Sequence, residues 1–539
     1  MPDAASSHDR RLFARLLNGV ERAGNALPDP MTLFLVGTLV VLLLSSFAAH
    51  YEWSIDKHVV ETVVVDGVPT QTQVTKTVTA QNLLSRDGSF WVIDNLVKNF
   101  TGFAPLGVVL VGMLGIGVAE KTGLIGAALK LFMLATPRSL LTPAMVFLGI
   151  MSSLGLDAGY VVLPPVAAAL YKSVGRSPLV GLAAVFAGVS AGFSANLVIT
   201  GLDPLLAGLT QEGARISVKD YEVASSANLY FMMASTVVLT FVGWAVSSWL
   251  VEPRYRNRPA HEGGPSAVTE DDLKARQLAD AERRGLIAAT IVFLIAVTGV
   301  LLMMRKDGAL WDAPDAKGFP RIVSAIVPLL FFGFVLPGIA YGIATRTIRN
   351  DKDVASLMGR TMADMGPYIV LAFFAAQFVA CFNHSRLGEM LALVGGQWLQ
   401  SADMPIWLLL SLFILLVAFG NLFIGSASAK WAFFAPVFVP MFMTGAKISP
   451  ELTQAAYRVG DSATNIISPL NPYVIIILVF MQKYMPKAGL GTLMALMLPY
   501  ALVFLIVWII MLAAWVTIGI DLGPAGPLFI QSLNPGAGG

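Results

Sequence analysis

Cysteine is almost missing from this 539-residue chain: Cys381 stands alone, so neither an intramolecular disulfide nor a thiolate cluster can form. The five histidines, His8, His50, His58, His261 and His384, are isolated from one another and match no zinc spacing. Charge is scarce too. Charged residues make up 13%, and 36 basic against 34 acidic side chains leave a formal net charge of +2 without a long basic run. That gives no footing to a nucleic-acid partner or to binding at an anionic membrane surface. The chain lacks the Gly-x-x-x-x-Gly-Lys-[Ser/Thr] loop, so direct ATP drive is unsupported. Residues 1–30 are too polar and Arg-rich for a signal peptide, and 31–50 is long enough to remain as a first transmembrane helix. What abounds is apolar sequence, 56% of the residues, which places the chain in lipid.

Inside the apolar sequence one motif occurs twice, as Thr200-Gly201-Leu202-Asp203-Pro204 and Ser468-Pro469-Leu470-Asn471-Pro472. Proline with glycine or a polar neighbour breaks a helix at bilayer depth. A small polar patch precedes each copy, Ser194-Ala195-Asn196 and Ser462-Ala463-Thr464-Asn465. Further upstream each half has a second interrupted run, one at Asp157 to Pro165 and one at Ser428 to Pro436. Paired interruptions at matching places point to a secondary transporter's binding site.

Positive charge sets the orientation. Arg10, Arg11, Arg15 and Arg22 precede the first apolar run, and residues 251–285 carry Arg254, Arg256, Arg258, Lys274, Arg276, Arg283 and Arg284. Both segments are expected in the cytoplasm. This divides the chain into a cytoplasmic segment 1–30, a first half 31–250, a cytoplasmic basic loop 251–285, a second half 286–518 and an extracytoplasmic tail 519–539. Residues 51–93 include alternating stretches such as Thr70-Gln71-Thr72-Gln73-Val74 around Asp66-Gly67, the pattern of an exposed β-hairpin on the outer side.

The run 140–172 is broken between Ser152 and Gly159, leaving arms of about 12 residues, or about 18 Å, too short to cross. It is expected to be a re-entrant hairpin opening inward, with Arg138 and Lys172 at its feet. The run 405–446, broken between Gly425 and Lys430, opens outward by the same count. Residues 124–135, interrupted by Lys130, are expected at the inner face. The predicted fold class is an all-α polytopic membrane protein. It has about nine transmembrane helices plus two re-entrant helical hairpins in an inverted repeat, with a small extracytoplasmic β-hairpin loop.

Beyond the second hairpin, Arg458, Asp461, Ser462 and Asn465 recur at spacings of three and four and share one helix face. A charge at the bilayer midplane costs about 2.5–3.5 kcal/mol on insertion scales, so Arg458 and Asp461 are expected to face a cavity and each other. The plainer alternative is an ion pair that only locks two helices. The first half offers Ser190, Ser194, Asn196 and Thr200 instead, which weights substrate binding toward the second. Asn196, Asp203, Asn465 and Asn471 form the expected ion locus. An oxygen-only cluster suits Na+, with Asn196 and Asn465 the candidates to hold it, while a lone buried carboxylate would carry H+. Asp203 reads equally well as a cap on the segment after its break. Asp157 and Lys430 read either as site charges or as wetted tip charges. Trp431 and Tyr160, beside the tips, are placed to stack on an aromatic ligand or simply to pack.

The repeated Asp-Pro and Asn-Pro breaks, the Gly425-Ser-Ala-Ser-Ala-Lys-Trp431 hairpin and the first helix with its β-rich loop resemble the AbgT family. These are p-aminobenzoyl-glutamate transporters and relatives that export sulfonamide antimetabolites. The likeness runs from about residue 17 to 518, and the second-half motif is its most specific part. The resemblance implies a homodimer in a bacterial inner membrane, a frame and an inner transport core, an ion-driven alternating-access cycle and no enzymatic activity or bound cofactor. By motif position it implies functional roles for Asp203, Ser428, Trp431, Pro450, Arg458, Asp461 and Pro469. The runner-up is a sodium-coupled dicarboxylate carrier of similar fold. An intramembrane aspartyl protease would need two carboxylates about a hydrogen bond apart but no duplicated breaks. An ion channel would line its pore continuously.

Overall fold

The computed structural model describes residues 29–65, 68–155, 158–270, 272, 277–311, 320–468, 470–471 and 473–530. The N-terminal arginines, Asp66-Gly67, Asp157, Lys274, Arg276, Pro469 and Pro472 lie outside the described residues.

Helix α1 (Pro30–His50) begins at Asp29, whose carboxylate accepts from the Met31 amide at 2.9 Å, with proline in the first helical position. It leads into an antiparallel pair, β1 (Ser54–Val65) and β2 (Val68–Thr79), in register from Ser54 opposite Thr79 to Val65 opposite Val68. The strands fill only the first part of the expected 51–93 loop. Two short helices, Arg86–Asp94 and Leu96–Thr101, follow.

The first half continues through α2 (Ala104–Lys121), α3 (Leu124–Ala135), α4 (Leu141–Met151), α5 (Ala158–Ser173), α6 (Pro178–Phe186), α7 (Leu202–Ala214) and α8 (Leu229–Ala245). The interruption expected between Ser152 and Gly159 separates α4 from α5, and a 115° bend lies upstream of it, between Ala135 and Arg138. The cause is local: Thr136 precedes Pro137, a position driven to extended geometry, and its ψ is 126°. Helix α4 then ends in a tight turn, Ser152–Gly155.

The second half comprises α9 (Asp280–Met303), α10 (Ile326–Thr345), α11 (Gly366–His384), α12 (Leu387–Ala402), α13 (Ile406–Gly420), α14 (Ala427–Ala446), α15 (Pro450–Ala463), α16 (Tyr473–Gln482) and α17 (Leu490–Ile518). Among the described residues seven helices are long and apolar enough to cross a membrane, or eight if the bent pair counts as one span. Residues 178–214 and 450–482 each form two shorter helices in place of one span. Residues 192–201 are irregular between α6 and α7, and 464–472 separate α15 from α16. Both interruptions coincide with the duplicated motif.

Helix α9 shows Ile287, Ile291, Leu294, Ile295 and Leu301 on its exterior, the apolar surface that lipid covers. Helix α15 is the opposite: polar in sequence, yet every residue from Pro450 to Ala463 is buried. It is enclosed by α13, α14, α7 and α17. A Cβ on Gly460 would lie 2.5 Å from the Ile414 carbonyl oxygen, so glycine lets α15 lie directly on α13. The structure thus puts a polar helix at its centre.

Candidate functional site

The site is built on α15. Ser449 caps it, accepting from the Leu452 amide at 3.0 Å, and Pro450 takes the first helical position. From that fixed start Gln454, Tyr457, Arg458 and Asp461 fall on neighbouring turns. Arg458 and Asp461 do not face each other as expected. Arg458 Nη2 reaches Asp203 Oδ1 of the first half at 2.6 Å, and Lys430 Nζ of α14 reaches Asp461 Oδ1 at 2.6 Å. Two positive and two negative charges are therefore buried in complementary pairs, the arrangement that makes ions tolerable away from water.

Each pair has its own support. The second oxygen of Asp203 accepts from the Thr200 amide at 2.7 Å and the Thr200 hydroxyl at 2.9 Å. Asp203 is thus both a local cap and a counter-ion, so the two readings of this residue coexist. Lys430 also donates to Asn421 Oδ1. The Asn421 amide lies 2.6 Å from the Asp461 carbonyl oxygen and 2.8 Å from Asn465 Oδ1. Lys430 is wholly buried, which overturns the wetted-tip reading: the cap from Ser426 to the Ala429 amide starts α14 and turns Lys430 inward.

Trp431 is 0% exposed, its ring stacked on Tyr457 at 4.4 Å between centroids. Its indole N–H donates to Thr210 Oγ1 at 2.9 Å, which in turn lies 2.8 Å from Gln454 Oε1. One ring face is therefore already occupied. Tyr160 stacks on Tyr473 at 4.0 Å, joining α5 to α16. Ser428 is half-buried beside Ser426, 3.3 Å between hydroxyls.

The two breaks meet. The Ser194 amide donates to Ser462 Oγ at 3.2 Å, and Asn471 Nδ2 donates to Ser190 Oγ at 3.0 Å and lies 3.1 Å from the Asn465 carbonyl oxygen. Asn465 and Asn471 are thus together, whereas Asn196 exchanges hydrogen bonds with Ser153 at the end of α4, at 2.8 and 3.0 Å. The amide oxygens of Asn196, Asn465 and Asn471 accept from three different donors, Ser153, Asn421 and the Tyr473 amide. An amide oxygen has two lone pairs, so each of these oxygens can still take a second partner. Among the described residues no group of three or more His, Cys, Asp or Glu is placed to hold a metal.

Three polar atoms in this centre are buried without a hydrogen-bond partner among the described residues: Arg458 Nε, Asp461 Oδ2 and Ser194 Oγ. A donor and an acceptor left open beside satisfied ion pairs are a ready place for a polar ligand. The sequence reading missed Asn421, Thr210, Gln454 and Tyr457. Gln454 and Tyr457 were legible, lying four residues before Arg458 and Asp461 respectively; Asn421 had the signal of a lone amide ending an apolar helix, and Thr210 had none.

A charge-balanced centre on interrupted helices, inside a shell of lipid-facing ones, defines a multi-pass membrane transporter. The comparisons fix which kind. The sequence model of the AbgT transporter family matches residues 15–530, and the chain belongs to that family. It is 36% identical over 515 residues to the p-aminobenzoyl-glutamate transport protein of Escherichia coli K12, covering 95% of this chain and 96% of that one. The YdaH transporter of Alcanivorax borkumensis superposes with a TM-score of 0.83 at 41% identity, over 92% of this chain and 100% of that one. MtrF of Neisseria gonorrhoeae, described as illuminating a class of antimetabolite efflux pumps, gives 0.85 at 42% identity over 95% and 100%.

Proposed function

We propose that this chain carries p-aminobenzoyl-glutamate or related folate catabolites, or exports sulfonamide-type antimetabolites, across a bacterial inner membrane. An ion gradient drives it through alternating access. The observation that carries the reading is the open donor and acceptor on α15. Arg458 Nε and Asp461 Oδ2 are both buried and, among the described residues, unpartnered, one turn apart. A guanidinium N–H suits a carboxylate or sulfonyl oxygen, and a carboxylate suits an amide or aniline N–H. The substrate's aromatic ring would lie toward Trp431 and Tyr457.

Of the two pairs on α15, Arg458–Asp203 joins the two halves and Lys430–Asp461 lies within the second. A substrate anion competing with Asp203 for Arg458 would loosen the contact between halves, and that release is the step by which binding would be coupled to movement. The likeness in element order between α3–α8 and α12–α17 supports an inverted repeat with nine spans and two hairpins. In this reading the protein works as a homodimer with its N-terminus in the cytoplasm. The coupling ion is H+ or Na+.

The test is uptake of radiolabelled p-aminobenzoyl-glutamate into proteoliposomes, with proton and sodium gradients imposed separately and in both directions. Accumulation that follows one gradient supports the reading. Accumulation of aliphatic dicarboxylates in its place would favour the dicarboxylate carrier, and unitary currents would favour a channel. Drug accumulation in cells with and without the protein addresses export.

A further inference from the structure

We propose that Glu451 is a proton-binding site of the transport cycle, taking a proton from the side that carries the β-hairpin and giving it up as α15 moves. The proposal rests on the transporter reading above and adds a residue to it. Glu451 is 2% exposed. Both carboxylate oxygens accept from the Tyr221 hydroxyl, at 3.2 and 3.1 Å, with the Ser449 hydroxyl and the Glu451 backbone amide as further neutral partners. Among the described residues it makes no ion pair, in contrast with Asp203 and Asp461 on the same site. A buried carboxylate without a cation carries a large desolvation cost when ionised, and a proton removes that cost. Intramembrane carboxylates of this kind are costly to keep and functional by default.

The surroundings define a route. Ser449 donates to the Pro527 carbonyl at 2.6 Å and Ile448 bridges to Phe529, so this end of α15 abuts the segment after α17. Asn228 donates at 2.9 Å to the Glu451 backbone carbonyl, not to its carboxylate. Tyr221 is held by Arg215, whose Nε donates to its carbonyl oxygen at 3.1 Å while Nη2 pairs with Glu222 at 2.6 Å. Arg215 lines a cleft of about 890 Å³ with Lys57, Lys219, Arg386 and Glu389, at the foot of the β-hairpin. Tyr221 thus stands between that cleft and Glu451. Toward the centre, the next charges are Arg458 with Asp203 and Asp461 with Lys430, about 10 and 15 Å along the helix at 1.5 Å per residue. The step is simple in balance: the carboxylate gains H+ to become the acid, and loses it as H+ when the site opens elsewhere.

Glu451→Gln keeps shape and is fixed in the neutral state. In proteoliposomes it should retain substrate counterflow at equal pH within about twofold, lose accumulation driven by a pH gradient by about tenfold or more, and flatten the pH profile. Equal loss of counterflow and net transport, or an unchanged pH profile, would overturn the proposal. If Glu451→Gln does not fold, Tyr221→Phe decides: a shifted pH midpoint supports the proposal and an unshifted one overturns it. Infrared difference spectra between acid and alkaline pH supply a readout without substrate. A carboxylic C=O band present in the wild type and missing in Glu451→Gln supports the site, and a band that persists overturns it. Wild-type protein that shows this band but no counterflow of p-aminobenzoyl-glutamate would count against the substrate reading alone.

Discussion

Two ion pairs hang on one helix, and they differ in what they join. Lys430–Asp461 connects α14 to α15, neighbours within the second half, and is braced by Asn421 and Tyr457. Arg458–Asp203 connects α15 to the start of α7, across the interface between halves. Charge, burial and length of contact are alike. What differs is that the first pair has to survive any relative movement of the halves, while the second lies where such movement would be felt. A buried pair inside one body is therefore read as architecture, and a buried pair between bodies as mechanism.

The comparison breaks most visibly if one partner of the internal pair is removed. Lys430→Met leaves Asp461 buried and uncompensated and should cost about 3–5 kcal/mol, seen as a lower unfolding temperature in detergent. The double variant Lys430→Met/Asp461→Leu should recover most of that stability while remaining inactive. A double variant as unstable as the single one would show that the pair is not what the fold depends on.

The pair between halves should respond differently. Arg458→Lys keeps the charge but loses the planar fork, so folded protein should be retained while affinity for the dianionic substrate falls by about tenfold, measured by binding in detergent. Unchanged affinity would place the substrate elsewhere.

How much of this was legible in the sequence depends on the distance over which a signal acts. The two breaks, the β-hairpin and the shared face of Arg458 and Asp461 were readable because proline chemistry and helical periodicity are local. The partners were not, since Arg458 and Asp203 come from different halves and no spacing links them. Lys430 stayed open between a site charge and a tip charge because Gly425-Ser426-Ala427-Ser428 reads as an exposed turn. Only the packing of α14 shows that the helix begins early enough to bury it. The boundary at Thr136-Pro137 was readable from the proline, though not the angle of the bend it makes.

A smaller effect sharpens the aromatic side of the same centre. Trp431→Phe removes the indole bond to Thr210 while keeping the stack on Tyr457, and should cost about 0.5–1.5 kcal/mol. Trp431→Ala should weaken aromatic substrates more than aliphatic dicarboxylates in competition uptake; equal weakening would leave Trp431 a packing residue.

The smallest expected effect lies far from the centre, where Lys172 pairs with Asp272 of the basic loop. Burial would raise the Asp272 carboxyl, but hydrogen bonds from Lys172 and Thr269 outweigh it and hold the group below its ordinary value. A depressed carboxyl contributes its stability above the unfolded value, about 3.9, and loses it only as pH falls through the lower folded value. Unfolding followed from pH 8 to pH 5 should therefore show no step in the wild type that Asp272→Asn removes. Such a step would mean that the carboxyl is not depressed.

The most direct measurement is uptake of radiolabelled p-aminobenzoyl-glutamate into proteoliposomes by wild-type protein and Asp203→Asn, each first shown to be folded. Accumulation by the wild type and its loss in Asp203→Asn is the expected result. Equal accumulation by both would contradict the assignment of the Arg458–Asp203 contact as the point where substrate binding meets movement.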